Sequence, residues 1–152
     1  MHAIATTDAL WFLDTLTIVR QASTDDAPFS VLDTTARHGN ATPLHRHLDE
    51  DEVFTVLEGE LTLTVDDETI VVGPGRSAVA PRGVPHRYEV TSAEDARWLV
   101  LTTPGRFEAF VRELSELAED TTLPPAPTGP PSPEQIEMLA ATAARHGIEI
   151  IG

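Results

Sequence analysis

The 152-residue chain reads as an all-β protein, a sandwich or barrel of short strands followed by C-terminal α-helices. Three observations predict this. Between Leu10 and Thr103, short β-rich runs succeed one another, divided by Gly, Pro and Asp turns. Leu61-Thr62-Leu63-Thr64-Val65 alternates apolar residues with Thr, the period-2 signature of a strand with one buried face. From Phe107 onward the apolar spacing changes to that of a helix.

The elements follow in order. Leu10 to Leu13, Leu16 to Val19 and Phe29 to Thr35 are brief apolar or β-branched runs, the first two separated by Asp14. Val53 to Leu57 and Leu61 to Val65 flank Glu58-Gly59 and read as a hairpin. Asp66-Asp67-Glu68 makes the next turn, ahead of Thr69 to Val72 and the Gly73-Pro74-Gly75 break. Ser77 to Ala80, Arg87 to Val90 and Trp98 to Thr102 complete the strands.

Phe107, Phe110, Val111, Leu114 and Leu117 then mark one amphipathic helix. A linker over 121–131 is rich in proline and extended. Ser132-Pro133-Glu134-Gln135 carries the signals of a helix start, with Ser as N-cap and Gln three positions on. Ile136, Leu139, Ala140 and Ala143 form its apolar stripe, Gly147 ends it, and Ile148 to Ile151 reads as a short strand or docking segment. The organisation expected is therefore a barrel over 1–105 and C-terminal helices over 106–152, packed on the barrel or on a partner subunit.

Composition excludes several functions. With 25 acidic and 10 basic residues, the net charge is -15, which repels nucleic-acid phosphates and anionic membrane surfaces. Without cysteine there is no disulfide, no thiolate nucleophile and no Cys-based zinc site. No apolar run approaches the ~18 residues of a membrane span. Met1 to Leu10 holds no Lys or Arg and includes Asp8, unlike a secretory signal, so a cytoplasmic protein is expected.

The chemistry concentrates in two segments. His45 and His47 are two apart, so on an extended strand both imidazoles project from one face. Two imidazoles and a nearby carboxylate are the ingredients of a divalent-metal site, and Gly75 to His86 can return a third imidazole from a neighbouring strand. Four acids follow His47. Glu52 shares strand parity with Phe54 and Val56, so it faces the same interior, whereas Asp49, Glu50 and Asp51 read as a solvated loop. His2, His38 and His146 read as ordinary core or surface residues, and Arg46 as a surface charge.

These segments resemble the two motifs of the cupin superfamily. Gly39, His45, His47, Glu52 and Gly59 match the first at every interval, and Gly75, Pro81, Gly83 and His86 match the second, whose closing Asn is Val90 here. The resemblance implies a double-stranded β-helix of jelly-roll type. It also implies one divalent transition metal per chain (Fe, Mn, Ni, Co, Cu or Zn) held by His45, His47, Glu52 and His86. Trp11 to Leu13, Asp51 to Gly59 and Thr103 to Glu108 are further similar to the quercetin 2,3-dioxygenase-like group of small cupins. That likeness implies dioxygen-dependent cleavage of an aromatic or polyphenolic, flavonol-like substrate, with Glu52 also taking the substrate hydroxyl proton. A pocket of Phe54, Val56, Leu63 and Tyr88 is expected around it. The alternatives are a non-catalytic small-molecule-binding cupin and a metal-assisted isomerase or cyclase. A homodimer is expected from the family likeness and from the apolar stripe at Phe107 to Leu117.

Overall fold

The structure, a computed structural model, describes residues 8–152, so His2 and the first part of the expected barrel lie outside it. Twelve strands and two helices are formed: β1 (Asp8–Phe12), β2 (Thr15–Gln21), β3 (Ser30–Ala36), β4 (His45–His47), β5 (Asp51–Glu58), β6 (Leu61–Val65), β7 (Glu68–Val72), β8 (Ser77–Ala80), β9 (His86–Val90), β10 (Ala96–Thr103), α1 (Phe107–Leu114), β11 (Ser115–Leu117), α2 (Pro133–Arg145) and β12 (Ile148–Ile150). They make two antiparallel sheets, a larger one in the order β11-β1-β2-β3-β10-β5-β8 and a smaller one in the order β12-β4-β9-β6-β7.

Alternation drives the packing. Along β10 every second residue from Ala96 to Thr102 is buried, and along β5 Glu52, Phe54 and Val56 are buried. Their inner faces meet Leu61, Leu63 and Val90 of the smaller sheet in one core that includes Trp98, Leu32 and Val72. Each large apolar side chain buried there contributes roughly 1.5–3 kcal/mol relative to exposure.

The expected hairpin around Gly59 is not one. β5 pairs with β10 and β8, whereas β6 pairs with β7 and β9, so the chain crosses from one sheet to the other at Gly59. The adjacent hairpin is β6–β7, closed by Asp66 and Asp67 between Val65 and Glu68. A Gly-containing turn between two β-rich runs is the same local signal for a hairpin and for a corner.

The C-terminal part does more than supply helices. α1 ends at Leu114, short of Leu117, because Ser115–Leu117 pairs with β1 and extends the larger sheet. Phe110 and Val111 are buried in the core of their own chain, and Leu117 is 76% exposed, so the apolar stripe of α1 mostly covers its own barrel. The linker is strapped to the sheets: Arg37 donates to Pro124 O (2.6 Å) and Trp11 Nε1 donates to Thr122 O (2.8 Å). α2 starts at the expected capping box, Ser132 Oγ accepting from Gln135 N and Gln135 Oε1 from Ser132 N. Only its C-terminal half is covered, at Leu139, Thr142 and Ala143, while Ile136 and Ala140 stay exposed. β12 then pairs with β4 and becomes an edge strand of the smaller sheet.

Candidate metal centre

β4 holds His45 and His47 on one face of the smaller sheet. β9 begins with His86, which is the ladder partner of His45. Glu52 comes from the opposite sheet, on β5 between Thr102 of β10 and Ala80 of β8. The two sheets thus close on a cluster in which each of His45, His47, Glu52 and His86 offers one ligand atom, all within 4.8 Å of one another. The ring centroids of His45 and His86 are 4.4 Å apart, and those of His47 and His86 5.5 Å.

Each imidazole is oriented through its Nδ1. That nitrogen lies 2.8 Å from Pro43 O in His45, 3.0 Å from Val84 O in His86 and 2.9 Å from Glu50 Oε1 in His47. All three partners are acceptors, an arrangement suited to a hydrogen on each Nδ1 and an Nε2 lone pair turned toward the cluster. His86 Nε2 is 2.7 Å and His47 Nε2 3.4 Å from Glu52 Oε2, and His47 Nε2 is buried without a hydrogen-bond partner. Lone pairs gathered on a buried carboxylate need a shared cation, so the donor set fits a divalent transition metal.

Electrostatics agree. Burial, then the neighbouring His86, pulls the His45 imidazole down to about 4, so it is neutral and ready to ligate at neutral pH. Burial by itself would raise the Glu52 carboxyl; His47, His86 and His45 outweigh it and hold the group well below the usual carboxylate range. At His47, burial pulls down, but Glu52 and Glu50 outweigh it and raise the imidazole.

The other expected residues divide. Phe54 and Tyr88 line an inner cavity of about 60 Å³ beside His45 and Glu52. Val56 and Leu63 do not: both are fully buried, deeper in the packed core, and line neither this cavity nor the one outside it. Tyr88 packs edge-on against Trp98 and donates its hydroxyl to Asn40 Oδ1 (2.7 Å), and burial, then Glu52, pushes its phenol up, so it stays a neutral donor. Arg46 pairs at the surface with Glu149. His38 contacts Ser92 O and His146 contacts Glu113, both away from the cluster.

One acid departs from the expectation of a solvated loop. Glu50 is 2% exposed and contacts His47, whereas Asp49 and Asp51 meet Arg106 and Arg82 at the surface. Parity along β5 gives no signal for it, because Glu50 precedes the strand. Thr15, Thr17, Thr34 and Phe107 also line the inner cavity, brought in from strands and a helix that the motifs do not include. An outer cavity of about 130 Å³ shares Phe12, Thr42, His45 and Phe107 with the inner one and is bounded by Leu139, Ala143 and Ile150 of the C-terminal part. The C-terminal segment thus forms one wall of the approach to the cluster.

Comparisons with known proteins agree with this architecture. The family described as Cupin domain matches residues 31–102. Quercetin 2,3-dioxygenase of Bacillus subtilis (strain 168) is 31% identical over 115 residues, covering 76% of this chain and 34% of that protein. The chain spans about a third to two fifths of the length of the curated relatives it matches. Among solved structures, TT1209 from Thermus thermophilus is 32% identical with a TM-score of 0.55, covering 60% of this chain and 85% of that one. KdgF from Halomonas sp. has a TM-score of 0.57 at 19% identity, covering 63% of this chain and 84% of that one, a likeness of fold alone. No helix among the described residues is long and apolar enough to cross a membrane.

Proposed function

Since the chain belongs to the cupin family, we propose that it is a metal-dependent dioxygenase acting on a small aromatic, flavonol-like substrate. One observation carries the reading: a three-His, one-Glu cluster contributes His45 and Glu52 to the wall of an apolar cavity without Arg or Lys. Among the residues lining the two cavities, the charged or titrating ones are His45, Glu52, Asp14 and Tyr88. Such walls favour a neutral or singly ionised ring system and disfavour di- and tricarboxylates, which need Arg or Lys partners. The inner cavity exceeds the ~10–15 Å³ that one water requires several-fold. In this reading a fused ring system spans the inner and outer cavities, which share Phe12, Thr42, His45 and Phe107, with its hydroxyl end at the cluster.

His45, His47, Glu52 and His86 would hold a divalent metal, which when bound would supply Lewis-acid stabilisation of a substrate oxyanion and a site for dioxygen chemistry. The chain supplies the rest. Glu52, fully buried and ionised, accepts the proton of the substrate hydroxyl at a carboxylate oxygen. Phe54 and Phe107 line the apolar inner cavity beside the Thr34 hydroxyl, whereas the hydroxyls of Thr15 and Thr17 are engaged with Phe12 O and with each other. Burial of the cluster between the sheets keeps bulk water out. The 31% identity to quercetin 2,3-dioxygenase supports this choice of substrate class.

The test is oxygen uptake by protein loaded with each of Fe, Mn, Co, Ni, Cu and Zn, with a panel of flavonols. Stoichiometric uptake that vanishes in Glu52→Gln is expected. Tight flavonol binding with no oxygen uptake under any metal would replace the reading with a non-catalytic binding cupin.

A further inference from the structure

We infer that Glu50 is a positioning residue for the His47 ligand: its carboxylate fixes the ring in the Nδ1–H tautomer and ties that ligand to the start of α1. This rests on the metal-site reading above but adds a residue outside the four donors and at none of the fixed positions of the family motifs.

Glu50 sits in the turn between β4 and β5, three residues beyond His47, and is 2% exposed. A carboxylate so buried is costly unless its oxygens are met by donors. All are met. Oε1 accepts from His47 Nδ1 at 2.9 Å, while Oε2 accepts from the backbone N–H groups of Arg106 (2.8 Å) and Phe107 (3.2 Å). The same Phe107 packs its ring against His47, centroids 5.3 Å apart, and lines both cavities. Glu50 is thus a strut between a ligand on one sheet and the helix whose first residue shapes the approach.

His47 differs here from the other two imidazoles, whose Nδ1 hydrogens go to the neutral carbonyls of Pro43 and Val84. A carboxylate partner makes an imidazole a stronger donor to a metal and leaves only Nε2 for it. The geometry also explains why an amide does not substitute. In Glu50→Gln a single oxygen remains. If it faces Arg106 and Phe107, the NH2 group faces His47 Nδ1 and drives the hydrogen to Nε2, on the ligand atom itself. If it faces His47, the NH2 group meets two backbone N–H donors.

Two measurements test this. In metal-stripped, 15N-labelled wild-type protein at a pH above the imidazole range, long-range 1H–15N correlation should show His47 protonated at Nδ1. The Nε2–H tautomer there overturns the proposal, and this arm needs no variant and no metal. In Glu50→Gln, the same spectrum should show loss of the pure Nδ1–H form, and Zn(II) affinity by chelator competition should fall about 10–100-fold. Glu50→Asp, which keeps the charge, should recover part of that loss. A Glu50→Gln protein that keeps both the tautomer and wild-type affinity within about twofold overturns the positioning role. If Glu50→Gln fails to fold, the wild-type tautomer and Glu50→Asp decide. If wild type binds no Zn(II) while His47 is Nδ1–H, the metal reading fails and the tautomer role stands.

Discussion

His45 and Ile150 are direct partners in the antiparallel ladder between β4 and β12. The strand that carries two of the donor residues is therefore backed by the last strand of the chain. Around this pair, Leu48 N donates to Gly147 O (2.8 Å) and Ile151 N to Leu44 O (2.8 Å). The C-terminal segment therefore belongs structurally to the site.

Ile148, 4% exposed and paired with His47, anchors that segment. Ile148→Ala should cost about 2–4 kcal/mol of stability by leaving a cavity in the core. It should also weaken metal retention, because β4 loses packing on its outer neighbour. Thermal unfolding with and without added metal, compared with an exposed control such as Met138→Ala, measures both effects.

The four donors act as one site. His45→Ala, His47→Ala and His86→Ala should each weaken metal binding beyond the roughly 10–100-fold that loss of an outer partner costs. Asp49→Asn and Asp51→Asn should leave binding nearly intact, since both acids sit in exposed pairs with Arg106 and Arg82. Elemental analysis of the purified variants reads the pattern. Stoichiometric metal in His86→Ala at wild-type affinity would refute the coordination.

Asp33, buried on β3 of the larger sheet, gives the fold an acid-sensitive anchor away from the cluster. Burial by itself would raise its carboxyl, but hydrogen bonds from Arg97 (2.8 and 2.9 Å) and Arg20 (3.0 Å) outweigh that and hold it below its ordinary value. A folded-state pKa below the unfolded one stabilises above the ordinary carboxylate range, and that contribution is lost as pH falls through the folded value. Asp33→Asn should therefore destabilise by about 2–3 kcal/mol near neutral pH. The difference from wild type should shrink in acid, below about pH 4. Urea unfolding across that range checks the sign; a difference that grows on acidification contradicts it.

Gly59 stands at the corner between the sheets with φ +74°, and a Cβ there would lie 2.8 Å from Ala96 Cα and Asp95 O. Gly39, the opening glycine of the same motif, has φ +84° with nothing within 4 Å. Gly39→Ala should cost only the left-handed backbone penalty, about 1–2 kcal/mol. Gly59→Ala adds the overlap with backbone and should exceed about 3 kcal/mol. Equal losses in the two variants, measured by denaturant unfolding, would count against the corner.

Much of this protein was legible in its sequence because local spacing reports which face of a strand a side chain takes. The His45-x-His47 pair and Glu52 in phase with Phe54 follow from period-2 geometry, while the resemblance to the cupin motifs adds His86 after Pro81 and Gly83. The capping box at Ser132 and Gln135 is equally local. Periodicity and the motif resemblance together therefore name an all-β fold and its candidate donor residues without coordinates.

Tertiary structure decided the rest, since it turns on which segments meet. Glu58-Gly59 has the same local chemistry whether it closes a hairpin or crosses between sheets, and only the pairing of β5 with β10 and of β6 with β9 makes it a crossing. Val56 and Phe54 share parity, yet only Phe54 lies at the depth where the sheets part into a cavity. Among three adjacent acids, Glu50 became a buried strut because the start of α1, more than fifty residues downstream, brings two N–H groups to it. Periodicity determines the face a residue takes; depth, sheet membership and the partner of a buried charge are set by long-range packing.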